Sequence, residues 1–429
     1  MRIFLILMLF VLSGNITSQT PASKQNKSIL LIDAKVHVGN GTVIPRAAIG
    51  IENGKIKMVL DAFDIRMDST AYDTIIHLKG KEIYPGFIAP NSRLGLVEVD
   101  ALRATRDFDD VGLFNPHVRS ITAYNAESKI TSTVRTNGVL LAQITPKGGL
   151  ISGSSSIVNL DAWNWEDAIL KEDDGIHLNW PNSLNPRETD KKKIEELKKN
   201  YQEKLSNLSQ FIEEALAYQK LDFHLEKNIR YESMRAVFNQ EANIYVHVDD
   251  ANEITDAIYL LDKYKLNVVI VGGYEAWLVP ELLSDRKIPV LLTRVHSLPK
   301  NEDDDIHLSY KLPMILEKAG LLVALQNSGS MEAMGTRNLP FYAGTAVAYG
   351  LEYEKAIAML TLNTAKILGV DKQVGSIEVG KNATLFVSEG DALDMRTNQI
   401  IFAFINGKKI DLDNPQKQLY RKYSKKYEN

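Results

Sequence analysis

The chain has 429 residues, of which 45% are hydrophobic and 24% charged, with a formal net charge of −4 and no cysteine. These values are typical of a globular protein with a large buried core, so disordered and fibrous classes are excluded. The slightly acidic balance excludes a broad basic surface for nucleic acid. Without cysteine, disulfides, thiolate zinc sites and cysteine nucleophiles are also excluded.

The N-terminus has the pattern of a secretory signal peptide. Met1 and Arg2 precede an uncharged apolar run at residues 3–12, and a small polar segment follows. The run is about half the ~20 residues that a membrane-spanning helix needs. We therefore predict a signal peptide at residues 1–18, the alternatives being a short membrane anchor or a buried strand. No later stretch is long enough to span a bilayer, so we expect an exported, periplasmic mature chain without a membrane span.

Both ends of the remaining chain predict β-structure. Asn53-Gly54 and Asn406-Gly407 each separate two short β-rich runs. Asn-Gly supplies the positive φ angles of a two-residue turn, which predicts a β-hairpin at each position. We expect residues 28–84 and 375–412 to form one composite β-sandwich. A charged C-terminal tail follows at residues 413–429.

The middle of the chain, residues 85–374, alternates short apolar runs with helical patterns. This alternation predicts a parallel sheet with crossover helices, and the length suits an α/β fold of the (β/α)₈ TIM-barrel type, a doubly wound sheet being the alternative. Residues 188–240 form a charged helical segment. Its apolar residues recur in steps of three and four, which indicates one stripe on a long helix that packs on the barrel or serves a partner helix.

Three motifs carry a resemblance to a known family. GKEIYPGFI at residues 80–88 is similar to the segment that leads into the first barrel strand of the amidohydrolase superfamily. TLNTAKILG at residues 361–369 resembles the last barrel helix, and GSIEVGKNA at residues 375–383 resembles the return into the sandwich. The resemblance is closest to imidazolonepropionase-like and prolidase-like members. It implies a (β/α)₈ barrel, a sandwich built from both chain ends and, by ancestry, hydrolysis of non-peptide or dipeptide C–N bonds.

The resemblance also implies where metal ligands belong, and most of those positions hold other residues. Asn91 and Arg93 stand where the family has the two histidines of strand 1, and Asn327 best matches the aspartate of strand 8. Asparagine is a poor zinc ligand, arginine stays protonated, and an amide cannot act as a general base. Only His247 on strand 5 survives. We therefore expect no cofactor, and zinc only where the family mechanism persists.

Further residues are candidates for the pocket at the barrel mouth. Together with the four positions above they give the predicted set Asn91, Arg93, Glu98, His247, Asp249, His296, Asn327 and Arg337, and a glycine-rich binding loop adds Lys147, Gly148, Gly149 and Ser152. His247 and His296 are weak candidates for a metal site, the alternative being hydrogen-bonded loop residues. Arg93 either binds a carboxylate-bearing ligand or serves as an internal cation. No catalytic residue is assigned.

Two functional hypotheses follow. The first is a pseudoenzyme, a binding or assembly protein that has kept the barrel but lost metal-dependent hydrolysis. Its partner would be a small molecule or a peptide-like ligand, a second copy of the chain, or an active relative. The alternative is an active amidohydrolase with a non-standard or metal-free site.

Overall fold

The computed structural model describes residues 20–62, 71–183, 190–221, 223 and 225–427, so the predicted signal peptide lies outside the described residues. Within those ranges, no helix combines the length and the apolarity that crossing a bilayer requires. The strands are β1 Ile29–His37, β2 Val43–Glu52, β3 Lys55–Asp61, β4 Thr74–His77, β5 Glu82–Pro85, β6 Phe87–Ser92, β7 Val139–Ile144, β8 Ile151–Asn159, β9 Ile169–Asn179, β10 Asn243–Val248, β11 Val268–Gly272, β12 Val290–Leu292, β13 Val323–Leu325, β14 Leu385–Ser388, β15 Ile400–Ile405 and β16 Lys408–Lys409.

Helices connect most of the barrel strands. They are α1 Lys129–Arg135, α2 Trp165–Ala168, α3 Lys191–Gln219, α4 Ile229–Ser233, α5 Arg235–Phe238, α6 Ala251–Asp262, α7 Pro280–Asp285, α8 Leu308–Lys318, α9 Glu332–Gly335, α10 Leu339–Ala348, α11 Tyr353–Leu360, α12 Leu362–Leu368 and α13 Pro415–Ser424. Short 3₁₀ turns lie at Arg103–Thr105, Ser120–Ala123, Ala276–Leu278 and Thr336–Asn338.

Strands β6 to β13 form one eight-stranded sheet in chain order, which confirms the predicted barrel. Their side chains are apolar on the face toward the helices, and this gives the larger core of the molecule. Strands β9 to β13 are parallel, as are β6 and β7. The carboxyl ends of these parallel strands therefore meet at one end of the barrel, where family folds of this type place their sites.

The third barrel strand departs from the expected parallel pattern. β8 runs antiparallel to both β7 and β9. The reason is local: only six residues separate β7 from β8, and Gly148 and Gly149 adopt φ angles of 91° and 62°, so the chain turns back without a crossover helix. Ser152, which we assigned to a binding loop, consequently lies within β8.

The second sheet draws its strands from both chain ends, as predicted. Its order is β16-β15-β14-β5-β1-β2-β3, with β4 pairing with β1, and it encloses a core of its own. Both predicted hairpins form. Glu52 pairs with Lys55 across Asn53-Gly54, and Ile405 pairs with Lys408 across the second Asn-Gly turn. Strand β5 ends the first passage through this sheet, and the chain enters the barrel two residues later.

Two peripheral helices complete the fold. Helix α3 has 29 residues and buries a stripe that includes Tyr201, Leu208 and Ile212, while its charged side faces solvent. It lies on the barrel loops, where Phe211 stacks on Phe114. The C-terminal tail, which we predicted only as charged, forms helix α13 because Pro415 at its first turn and the Asn414 side chain, which accepts a hydrogen bond from the Lys417 backbone N–H, start it.

Candidate functional site

A cavity of about 390 Å³ opens where the barrel strands end. Of the predicted residues, Asn91, Lys147, His247 and Asp249 line it. Sequence reasoning missed several other lining residues, namely Asn182, Glu253, Thr293, Lys300, Gln326 and Ser328. The lining therefore carries two cations, two carboxyl groups and several amides and hydroxyls, which suits a small polar ligand.

Asn91 is buried in the cavity wall with its backbone in the left-handed region, at a φ of 48°. Its backbone N–H donates to Gln143 Oε1 at 2.9 Å, and its Nδ2 donates to Gln326 Oε1 at 2.5 Å. Among the described residues, no donor reaches Asn91 Oδ1. A buried acceptor without a partner costs free energy, so this oxygen is the natural partner for an N–H or O–H of a bound molecule.

Arg93 lies behind the cavity wall in a cluster of opposite charges. Its guanidinium contacts Glu332 Oε2 at 3.1 Å, donates to the Gly329 carbonyl at 3.3 Å and stacks over the Phe108 ring at 4.7 Å. Lys147 Nζ contacts the same Glu332 oxygen at 2.8 Å. Of the two alternatives for Arg93, this geometry favours the internal cation, since its charge is already paired within the protein.

Glu332 is the site residue that sequence reasoning overlooked most clearly. It sits at the start of α9, and its side chain is fully buried between Arg93 and Lys147. Its position five residues beyond Asn327 does not indicate a contact with Arg93, because only the fold brings the loop after β13 against the end of β6. The available hint was a lone acid in an otherwise apolar stretch of residues 331–335.

His247 faces the cavity and contacts a second histidine. His247 Nε2 lies 2.8 Å from His177 Nδ1, and His177 Nε2 lies 2.9 Å from Ser155 Oγ. Burial together with the nearby Lys147 ammonium lowers the pKa of His247, and burial with the neighbouring imidazole lowers the pKa of His177. Both rings are therefore neutral at pH 7, and one of them donates an N–H to the other across the His247–His177 contact.

A buried polar network continues inward from His177. The Asp174 carboxylate accepts hydrogen bonds from Ser155 Oγ at 2.7 Å, from Tyr245 Oη at 2.6 Å and from Gln143 Nε2 at 2.9 Å. Burial raises the pKa of Asp174. Because Ser155 is fully buried and bonds to this carboxylate, it cannot reach a ligand as a nucleophile despite its contact with His177.

Besides Arg93, four residues of the predicted pocket lie outside the cavity. Asn327 points away from the cavity: its Nδ2 donates to the Glu332 carbonyl at 2.6 Å and its Oδ1 accepts from Tyr342 Oη. Gln326, not Asn327, therefore lines the cavity at the end of β13. Alternation along the strand explains this one-residue shift, since neighbouring side chains point to opposite faces. His296 contacts Thr345 Oγ1 at 2.7 Å and does not share a cavity with His247.

The other two residues also serve local structure. Glu98 accepts a hydrogen bond from Asn125 Nδ2 at 2.9 Å in the loop after β6. Arg337 lies in a 3₁₀ turn, where its backbone carbonyl accepts from Asn137 Nδ2 at 2.7 Å. Neither lines the cavity. The cations that line the cavity are Lys147 and Lys300.

The glycine-rich loop is held by one side chain. Asn179 Nδ2 lies 3.0 Å from the Gly149 carbonyl, 3.3 Å from the Gly148 carbonyl and 2.9 Å from Ser152 Oγ. These partners satisfy the groups that we expected to approach a ligand. Of the predicted loop residues, only Lys147 lines the cavity.

The donor set at the cavity does not fit a zinc centre. Among the described residues, no three His, Asp or Glu side chains stand close enough together to hold a metal ion. His247 Nε2 is hydrogen-bonded to His177, so the two rings do not both present lone pairs to one point. Lys147 places a positive charge against His247, and Asn91 offers only an amide oxygen. This arrangement opposes a second cation.

Known proteins give a consistent family assignment. The model of the amidohydrolase family matches residues 180–411. A curated relative, 5'-deoxyadenosine deaminase from Methanobrevibacter smithii, is 23% identical over 397 residues, covering 85% of this chain and 86% of the relative. The structure of an amidohydrolase from Thermotoga maritima superposes with a TM-score of 0.72 at 25% identity, covering 89% of this chain and 99% of that one.

A more distant structure shares the fold. An adenosine deaminase from Xanthomonas campestris with bound zinc has a TM-score of 0.52 at 15% identity, covering 93% of this chain and 98% of that one. The barrel and composite sheet are therefore a shared framework.

Proposed function

The chain belongs to the amidohydrolase family, and we propose that it is an exported member that has given up metal-dependent hydrolysis and acts as a binding or assembly protein. The observation that carries this proposal is the Arg93–Glu332–Lys147 cluster. A guanidinium at the position of a metal-binding histidine is paired with a buried carboxylate, and a second cation reaches the cavity beside it.

The cavity itself supports a binding role. Asn91 Oδ1 presents a buried acceptor, Lys147 and Lys300 present cations, and Asp249 presents a carboxylate. A ligand that carries both an N–H donor and an anionic group, such as a peptide-like molecule, matches this distribution of charge. Export follows from the signal-like sequence at residues 1–18 and is part of the proposal.

Restoring the family's residues tests the reasoning about the metal site. The variant Asn91→His/Arg93→His/Gln326→Asp places two ligating side chains in the cavity, where His247 already stands, and a third in the wall behind it. We expect calorimetric titration with zinc to detect binding in this variant and none above background in the chelator-treated wild type.

A matched control uses the neighbouring strand position. Replacing Gln326→Asp by Asn327→Asp in the same triple variant puts the carboxylate on the face away from the cavity. It is therefore expected to bind zinc more weakly. Stoichiometric zinc binding by the wild type would refute the proposal.

A second candidate function is hydrolysis at a non-standard or metal-free site. It is favoured by His247 and Asp249, which line one cavity, and by the similarity to a 5'-deoxyadenosine deaminase. Ammonia release from 5'-deoxyadenosine and proline release from dipeptides, measured with and without zinc, separate the two candidates. Turnover that His247→Gln abolishes would establish the second one.

A further inference from the structure

Among the described residues, side-chain hydrogen bonds join the C-terminal helix α13 to the barrel at its first turn. Asn414 Nδ2 donates to Thr136 Oγ1 at 3.3 Å, and Gln416 Oε1 accepts from Thr133 Oγ1 at 2.8 Å, so the helix begins against the end of α1. None of its residues is buried. The rest of the helix, with the turn that follows it, therefore projects its side chains into solvent.

One side of this helix is apolar and aromatic. Leu419, Tyr420, Tyr423 and Tyr427 are between 52% and 78% exposed. The spacing of one and three residues places Leu419, Tyr420 and Tyr423 within an arc of about 100° on a helix with 3.6 residues per turn, and Tyr427 lies in the turn that follows the helix. Two exposed tyrosines and a leucine on one arc are an unusual surface for a short helix that covers no core.

The other side of the helix is basic. Lys417, Arg421, Lys422, Lys425 and Lys426 lie between Asn414 and Tyr427, a segment without an aspartate or glutamate. Asp413, just before it, pairs with Arg421 at 2.7 Å, and the remaining cations have no carboxylate on the helix. On the helix, Lys417 and Lys422 lie one on each side of the apolar arc, so a broad anionic surface can contact both.

The position of the helix on the barrel supports the same conclusion. Arg135, the last residue of α1, pairs with Asp161, and Asp161 accepts a hydrogen bond from the Ala22 backbone N–H at 2.9 Å. Ala22 is therefore linked through Asp161 and Arg135 to the end of α1 where α13 is attached. Trp163, two residues after Asp161, is 64% exposed there.

This end of the barrel is opposite the cavity. Helix α1 leads into the first residue of β7, whereas the cavity lies at the carboxyl ends of the parallel strands. A planar surface against α13 therefore leaves the mouth of the barrel open to solvent.

We propose that α13 lies on the surface of an anionic phospholipid bilayer. Tyrosine rings, with an apolar body and a polar tip, partition to the headgroup level, and the flanking cations contact lipid phosphates. The surface is independent of the cavity, so this inference stands or falls separately from the proposed function.

Vesicle flotation tests the proposal. The full chain is mixed with vesicles of phosphatidylcholine alone or of equimolar phosphatidylcholine and phosphatidylglycerol. We expect binding to the anionic vesicles that weakens as salt rises. The variant Lys422→Glu/Lys425→Glu/Lys426→Glu should weaken it about a hundredfold or more, since each cation near such a surface contributes about fivefold.

A control of equal charge excludes a non-specific effect. Lys192→Glu/Lys198→Glu/Lys204→Glu changes the same number of exposed lysines on α3, and its binding should match the wild type. All three proteins share one N-terminus, so any contribution of the apolar run at residues 3–12 is common to them. Tyr420→Ser/Tyr423→Ser should remove the part of the binding that survives high salt.

Two results would overturn the proposal. One is equal flotation of the wild type and the α13 charge variant. The other is no flotation with anionic vesicles but retention on immobilised polyglutamate that needs the same lysines, which would assign the helix to an acidic protein instead.

Discussion

Replacing Glu332 by glutamine should test the charge cluster at the barrel mouth by leaving its cations without a carboxylate. The Glu332 side chain is fully buried, and the Arg93 side chain is only 10% exposed. Removing one partner of such a buried pair typically costs 3–5 kcal/mol, because the remaining charge cannot regain its hydration. Lys147 is 29% exposed and can turn toward water, so it adds little. We expect a loss of about 3 kcal/mol in the free energy of unfolding.

Urea unfolding followed by tryptophan fluorescence measures this loss. Glu203→Gln is the matched control, because Glu203 pairs with Lys199 on the exposed side of α3 and its removal should cost about 0.5 kcal/mol or less. The double variant Arg93→Met/Glu332→Gln removes both charges. It should lose about 2 kcal/mol less than the sum of the single variants, which marks a direct coupling.

A cost of less than about 1 kcal/mol for Glu332→Gln, as for a solvated surface pair, would contradict the internal pairing of Arg93. A loss in the double variant at least as large as that of the two single variants added together would contradict it as well. Either outcome would mean that Arg93 is not an internally paired cation, and its availability to a ligand would have to be reconsidered.

Four further predictions concern the polar groups of the fold. His37 lies between the carboxylates of Glu82 and Glu354, which raise its pKa. The stability that it contributes is therefore complete below pH 6.5 and is lost as the pH rises through the raised pKa. His37→Gln should remove this pH dependence from the midpoint of urea unfolding. Its partner Glu82 has a pKa lowered to about 2, mainly by the His37 hydrogen bond. The stability that Glu82 contributes is therefore present above pH 4.5 and is lost as the pH falls toward 2. Glu82→Gln should reduce the fall of the urea midpoint over this acidic range. Tyr245→Phe should cost about 1–3 kcal/mol in urea unfolding by depriving the buried Asp174 of a donor, and an unchanged midpoint would contradict the network. Asn179→Ala should speed proteolysis in the loop at residues 145–150, and an unchanged cleavage rate would show that the loop does not depend on that side chain.

The framework of the molecule was predictable from short motifs. The two Asn-Gly turns set local φ angles, and the order of the three family-like segments indicated where the barrel begins and ends. Each of these motifs determines structure within a few residues, so it can be interpreted without knowledge of the rest of the fold. The antiparallel β8 was not predicted, because periodicity reveals that a strand exists but not its direction. Only the glycine angles in the short β7–β8 connection decide that.

The candidate site was predicted in part. Asn91, Lys147, His247 and Asp249 meet at one cavity. Asn91 and His247 lie near the carboxyl ends of β6 and β10, and Lys147 and Asp249 lie in the loops that follow β7 and β10. The choice between Gln326 and Asn327 depended on a one-residue register, which sequence spacing does not resolve.

The partners of these residues come from distant parts of the chain. Glu332 reaches Arg93 across 239 positions, and His177 reaches His247 across 70 positions. A single sequence carries no signal for such pairs, since they arise only when the barrel closes.

Metal content is the most direct test of the central claim that this barrel has left metal-dependent hydrolysis. The full chain, purified without chelator, is analysed by elemental mass spectrometry beside a His247→Ala variant. We predict only trace levels of divalent metal per chain, equal in the two proteins. Near-stoichiometric zinc in the wild type that is lost in His247→Ala would contradict the loss of metal-dependent hydrolysis and would favour an active metal-dependent hydrolase.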